Sequence, residues 1–71
     1  MRFTARTFGK RLKELRLDKG MTIVQLGEAI GVTHQTISRW ENGFRVPGVD
    51  SICMLATFFE TSSDYLLGLV N

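Results

Sequence analysis

In the segment GVTHQTISRWENG, residues 31–43, an amide, a hydroxyl, a guanidinium and a second amide recur at Gln35, Ser38, Arg39 and Asn42. With Thr33 as a cap and roughly 100° of turn per residue, these four fall on one side of a helix, and Ile37, Trp40 and Glu41 fall on the other. A row of hydrogen-bonding side chains offers recognition of a polar surface. Catalysis has a poorer basis. The chain has one histidine, His34, and one cysteine, Cys53, among scattered carboxylates, and no nucleophile, base and acid can be assembled from them. An enzyme is therefore not expected. The same two residues make no soft-ligand metal site, and no cofactor is implied. Glu41 is the odd member, an acid on the apolar side that calls for a partner.

The rest of the chain must position this helix. Its 71 residues fit one domain, 1–71, with no room for a second core or a separate effector domain. The single cysteine excludes an internal disulfide and argues for a reducing cytosol. No long apolar run opens the chain, so neither a signal peptide nor a membrane span is expected, and the location expected is cytoplasmic. The net charge of +2 is unevenly spread. Arg2, Arg6, Lys10, Arg11, Lys13, Arg16 and Lys19 oppose only Glu14 and Asp18 in the first twenty residues, and the remainder is net acidic. One end of the molecule is basic, either as an ordinary solvated face or as a surface for a polyanion.

Periodicity and punctuation predict five short helices and no strand, hence an all-α fold. The first covers about 7–19, with Phe8, Leu12 and Leu15 on one face and Gly20 as its stop. The second starts at Thr22, which makes a capping box with Gln25, and presents Ile23, Leu26 and Ile30 before Gly31. The third is 33–42. A loop punctuated by Asn42-Gly43 and Pro47-Gly48 carries Phe44 and Arg45. The fourth covers 49–59, with Ile52, Leu55, Ala56 and Phe59 inward. The fifth covers 62–67, capped by Ser62 and stopped by Gly68. Phe8, Leu12, Leu26, Ile37, Trp40, Leu55 and Phe59 are the expected core, with Cys53 an inert apolar packer among them.

Between the second and third helices, Gly31 permits a left-handed turn and Gly27 permits close crossing, which are the needs of a helix-turn-helix over about 22–42. LKELRLDKGMT, IGVTHQTISRWENGFRVPGVD and SSDYLLG together resemble the Cro/C1-type (Xre) helix-turn-helix family of phage and bacterial repressors. The resemblance covers about 8–68. It implies a lambda-repressor-like domain whose third helix lies in the major groove of operator DNA. By position it implies base contacts from His34, Gln35, Ser38 and Arg39. It also implies phosphate contacts from Thr33, Asn42 and the backbone around Gly43, Phe44 and Arg45. The chemistry agrees, because glutamine pairs with adenine and arginine with guanine while phosphate contacts fix register. Many relatives carry a glutamine just after the threonine of the second helix, where it touches phosphate. Here Ile23 stands there, so that contact is either absent or replaced by Thr22 and the helix N-terminal amides.

The resemblance also gives Glu41 a partner, Arg16, in an ion pair joining the first and third helices, with Arg16 near a phosphate as well. Met54 and Phe58 leave an apolar stripe on the fourth helix. Together with the Val46-Pro47 loop and Leu69-Val70, this stripe is expected to form a weak homodimer that binds paired half-sites. The function implied is a sequence-specific double-stranded DNA-binding transcriptional regulator, a repressor acting by occupying its operator. The alternative is an interaction module of the antitoxin type that binds a protein partner with or without DNA.

Overall fold

The computed structural model describes residues 4–70, and Arg2 lies outside them. The chain order is α1 (Ala5–Asp18), α2 (Ile23–Ile30), α3 (His34–Glu41), α4 (Val49–Phe58) and α5 (Ser63–Leu66), joined by turns. None of these helices is long and apolar enough to cross a membrane.

Local chemistry sets the boundaries. The residues before Thr7 extend α1 to Ala5, because Thr4 is its cap, its hydroxyl accepting from the Thr7 amide at 3.0 Å. The capping box of α2 is complete: the Thr22 hydroxyl accepts from the Gln25 amide at 3.1 Å, and the Gln25 side chain accepts from the Thr22 amide at 2.9 Å. Thr33 and Ser62 cap α3 and α5 in the same manner. Each such cap stabilises by about 1 kcal/mol. Glu60, in the turn from α4 to α5, has φ of 55° without being glycine.

Among the described residues, ten apolar side chains form the core: Phe8, Leu12, Leu26, Ile37, Trp40, Ile52, Leu55, Ala56, Phe59 and Leu66. Two glycines let the helices around it approach closely. A Cβ on Gly27 would stand 2.5 Å from the Val32 carbonyl oxygen, which permits the tight turn from α2 into α3. A Cβ on Gly9 would collide with the carbonyls of Trp40 and Glu41, so α1 presses its backbone directly against the end of α3.

Cys53 corrects the sequence reading, because it is exposed. The buried residues of α4 are Ile52, Leu55 and Ala56, and Cys53, about 100° on from Ile52 and away from Leu55 and Ala56, falls on the open side. Pro47, expected at an interface, is buried.

Candidate nucleic-acid interface

The two sides of α3 are sharply different. Ile37 and Trp40 are buried, whereas His34, Gln35 and Arg39 are exposed and Ser38 is half-buried. The apolar side fixes the helix to the core, and the polar row is left facing solvent. The four side chains expected to touch bases thus lie together with Ile23, Asn42 and Phe44 around one open hollow of about 410 Å³.

Thr22 and Thr33 stand at the N-termini of α2 and α3, both exposed and both using their hydroxyl oxygens as helix caps. Asn42 ends α3, and its Nδ2 donates to the Ser38 carbonyl at 2.9 Å and to the Ser38 hydroxyl at 3.3 Å. Those bonds leave the Asn42 side chain its oxygen, an acceptor, as its free group.

The backbone after α3 differs from what the resemblance implies. The Gly43 amide donates to the Trp40 carbonyl at 3.2 Å, and the amides of Phe44 and Arg45 both donate to the Arg39 carbonyl, at 2.9 and 3.3 Å. These three donors are spent closing the helix, as the orphan carbonyls of any helix end require. A contact with phosphate here therefore falls to side chains, and Arg45 is the exposed cation that can make it.

Arg16 is turned the other way. It is buried, 8% exposed as a whole residue. Its Nε donates to Glu41 Oε2 at 2.7 Å, its Nη2 to Glu41 Oε1 at 3.0 Å, and its Nη1 to the Met21 carbonyl at 2.8 Å. The hydrogen bonding it donates to Glu41 raises the guanidinium pKa against the opposing effect of burial. Of the two roles expected of Arg16, the geometry serves the ion pair; with its side chain 10% exposed, little is left for a phosphate.

Arg6 is a cation that sequence reading left undifferentiated among the basic residues. A Cβ on Gly43 would lie 3.5 Å from the Arg6 Cα, so the start of α1 abuts the loop that carries Arg45. Arg6 is exposed there. No spacing in the sequence signals this, because the two positions are remote in the chain.

Met54 and Phe58 border a separate apolar groove with Ala29, Ile30, Cys53 and Thr57. Phe58 is only partly available. Its ring meets that of Phe59 edge-on at 5.0 Å, and Lys19 Nζ stands 5.3 Å from its centroid. At the far end of the chain, Arg11 Nη1 donates to the carbonyls of Tyr65 and Val70, and its guanidinium lies 4.4 Å from the Tyr65 ring centroid.

Comparison with known proteins places these features in company. The family described as helix-turn-helix matches residues 12–66. The chain is 36% identical over 62 residues to the HTH-type transcriptional regulator ImmR of Bacillus subtilis (strain 168), an overlap of 87% of this chain and 49% of that protein. It is similar to the restriction-modification controller protein C.AhdI from Aeromonas hydrophila, with a TM-score of 0.78 and 31% identity over 87% of this chain and 94% of that one. It is also similar to the P22 c2 repressor protein solved with a synthetic operator, with a TM-score of 0.80 and 30% identity over 84% of this chain and 91% of that one. The chain spans about half the length of the curated relatives it matches.

Proposed function

The chain belongs to the Cro/C1-type helix-turn-helix family, and from that premise we propose that it is a sequence-specific regulator of transcription that binds double-stranded DNA with α3 in the major groove. One observation carries this reading: the exposed row of His34, Gln35, Ser38 and Arg39 is set on a helix whose other side is anchored by buried Ile37 and Trp40. A rigid helix bearing an amide and a guanidinium suits the bidentate edges of adenine and guanine.

Arg45 and Arg6 flank the row as cations for the phosphates, with Thr22, Thr33 and Asn42 as polar neighbours on the same side. The helix starts supply amide dipoles that favour phosphate. Binding of this kind represses by occupying the operator, and the location it requires is the cytoplasm. The groove around Met54 supports pairing of two copies, each reading a half-site, since an apolar groove of this kind often marks an interface. Partly buried Phe58 contributes its outer edge to that contact.

Selection of bound duplexes from a random DNA pool tests the proposal. Recovery of a defined motif, with affinity falling as salt rises, is the expected result. Absence of any salt-dependent DNA binding would favour the interaction-module reading in its place.

A further inference from the structure

We propose that two copies of the chain pair with α4 laid antiparallel on its counterpart, and that Asp50 of each copy forms an ion pair with the partner's Lys19. This rests on the pairing through the Met54 groove proposed above, and adds to it an orientation, a register and a pair of polar locks.

The exposed stripe of α4 is Asp50, Cys53, Met54 and Thr57, with half-buried Phe58 at its edge. Around the helix, Met54 lies about 40° and Thr57 about 20° from Asp50. Cys53, Met54, Thr57 and Phe58 line the groove with Ala29 and Ile30, and Asp50 continues the same stripe one turn earlier. The apolar centre is therefore flanked by charge at both ends, and the two charges are opposite. Asp50 stands in the first turn of α4. The last turn of α4 has no basic residue of its own; Lys19, at the end of α1, supplies one, with its Nζ 5.3 Å from the Phe58 ring centroid. Among the described residues Arg16–Glu41 is the one ion pair, so neither Asp50 nor Lys19 is matched within its own chain.

A stripe with opposite charges at its ends complements itself only when reversed. An isologous contact brings the same patch of two copies together about a two-fold axis. With α4 antiparallel to its counterpart and the axis at Met54, position 50 faces position 58, since each lies four residues, about 6 Å, from the axis. Asp50 then meets the partner's Lys19 above the partner's Phe58, and the symmetry repeats the contact at the other end. A parallel arrangement would set Asp50 beside Asp50 and Lys19 beside Lys19, which like-charge repulsion disfavours. Antiparallel helices also bring the positive end of one dipole beside the negative end of the other. The contact is short, because α4 has ten residues, about 15 Å of helix. It holds two copies weakly, and the charges at its ends count for much of its strength.

The test uses the whole chain, free of DNA, in sedimentation. Lys19→Glu or Asp50→Lys, each of which sets like charges together at both ends, should weaken association of the dimer about tenfold. The double variant restores both pairs with the signs exchanged and should recover the parent's association. Both positions are exposed, so the fold is expected to be kept, and recovery in the double variant separates pairing from any loss of the Lys19 contact with Phe58. The one cysteine serves as a probe of register. Cys53 is exposed and one position from the axis, so a bismaleimide with an arm of about 10 Å, the spacing of packed helices, should join two copies of the parent. Single variants that associate like the parent, a double variant that does not recover, or a dimer in which Cys53 is not joined would overturn this orientation and leave pairing itself standing. A parent that is monomeric both free and on a palindromic duplex would overturn pairing altogether and leave the groove to a different protein.

Discussion

The Arg16 guanidinium and the Glu41 carboxylate meet through two hydrogen bonds, at 2.7 and 3.0 Å, and join the last turn of α1 to the last residue of α3. Their side chains are 10% and 7% exposed. Breaking one partner of such a pair strands a charge in a place that water barely reaches. Glu41→Gln should therefore destabilise the fold by about 3–5 kcal/mol, seen as an early urea or thermal midpoint. The sign of the pH dependence follows from the raised pKa of Arg16. The stabilisation is complete below the ordinary guanidinium range and is lost only in strong alkali. Melting of the Glu41→Gln protein at the parent's temperature would show the pair to be energetically idle.

Arg39 and Arg45 should fail differently. Arg39→Ala is expected to cost about 1–3 kcal/mol on the preferred site and to relax preference at one base pair. Gln35→Ala should do likewise at a neighbouring adenine. Arg45→Ala should weaken every sequence alike and make the plot of log affinity against log salt shallower by about one unit. Titrations on the selected site, its single-base variants and random DNA separate these outcomes. Full retention of base preference by Arg39→Ala would place α3 outside the groove.

Gly9→Ala should be among the most harmful small substitutions in the chain. Its methyl would meet backbone carbonyls of Trp40 and Glu41, which cannot swing aside as a side chain can. Overpacking of this kind costs about 1–3 kcal/mol, and the shift it forces falls on the end of α3. Lower stability together with weaker specific binding is expected, and a Gly9→Ala protein with the parent's denaturant midpoint and affinity would show that α1 and α3 can part without cost.

Glu60→Gly should stabilise. Glu60 holds φ of 55°, in the left-handed region, and the Thr61 amide closes the helix end by donating to the Ala56 carbonyl at 2.9 Å. Glycine adopts this conformation without strain, and a gain of about 0.5–1 kcal/mol is expected after its greater freedom in the unfolded chain is counted. Denaturant midpoints measure it, and an unchanged or lower midpoint would mean that the glutamate side chain contributes more than its backbone loses.

Met54→Asp should keep the protein monomeric. Met54 is 36% exposed at the edge of the α2–α4 groove, so a charge there is tolerated by a monomer and opposed by an apolar interface. Sedimentation of parent and variant, free and on a palindromic duplex, gives the answer. A parent that is monomeric throughout would rule out pairing.

Much of this arrangement was legible because it is written in short spacings. The caps at Thr22, Thr33 and Ser62, the turn glycine at 31 and the inward residues Phe8, Leu12, Leu26, Ile37, Trp40, Leu55 and Phe59 depend on neighbours three or four positions away. So does the outward row on α3. What could not be read depends on the third dimension. Gly9 looks like an ordinary helix glycine until Trp40 and Glu41 arrive beside it, and Arg6 acquires its place only because Gly43 packs there. Cys53 was misplaced because its apolar character was weighed above its phase on α4. The amides after Asn42 were assigned to DNA because sequence does not disclose which donors a helix end has already used.

The Arg39 carbonyl accepts from both Phe44 and Arg45. On the proposed reading, the backbone of a residue that reads is consequently tied to that of a residue that holds, and the spacing of their Cα positions is set when the chain folds. Little ordering remains to be done at the moment of contact. On that reading, discrimination works as a gauge: a duplex whose groove and backbone do not match that spacing is expected to be rejected for its shape as well as for its bases.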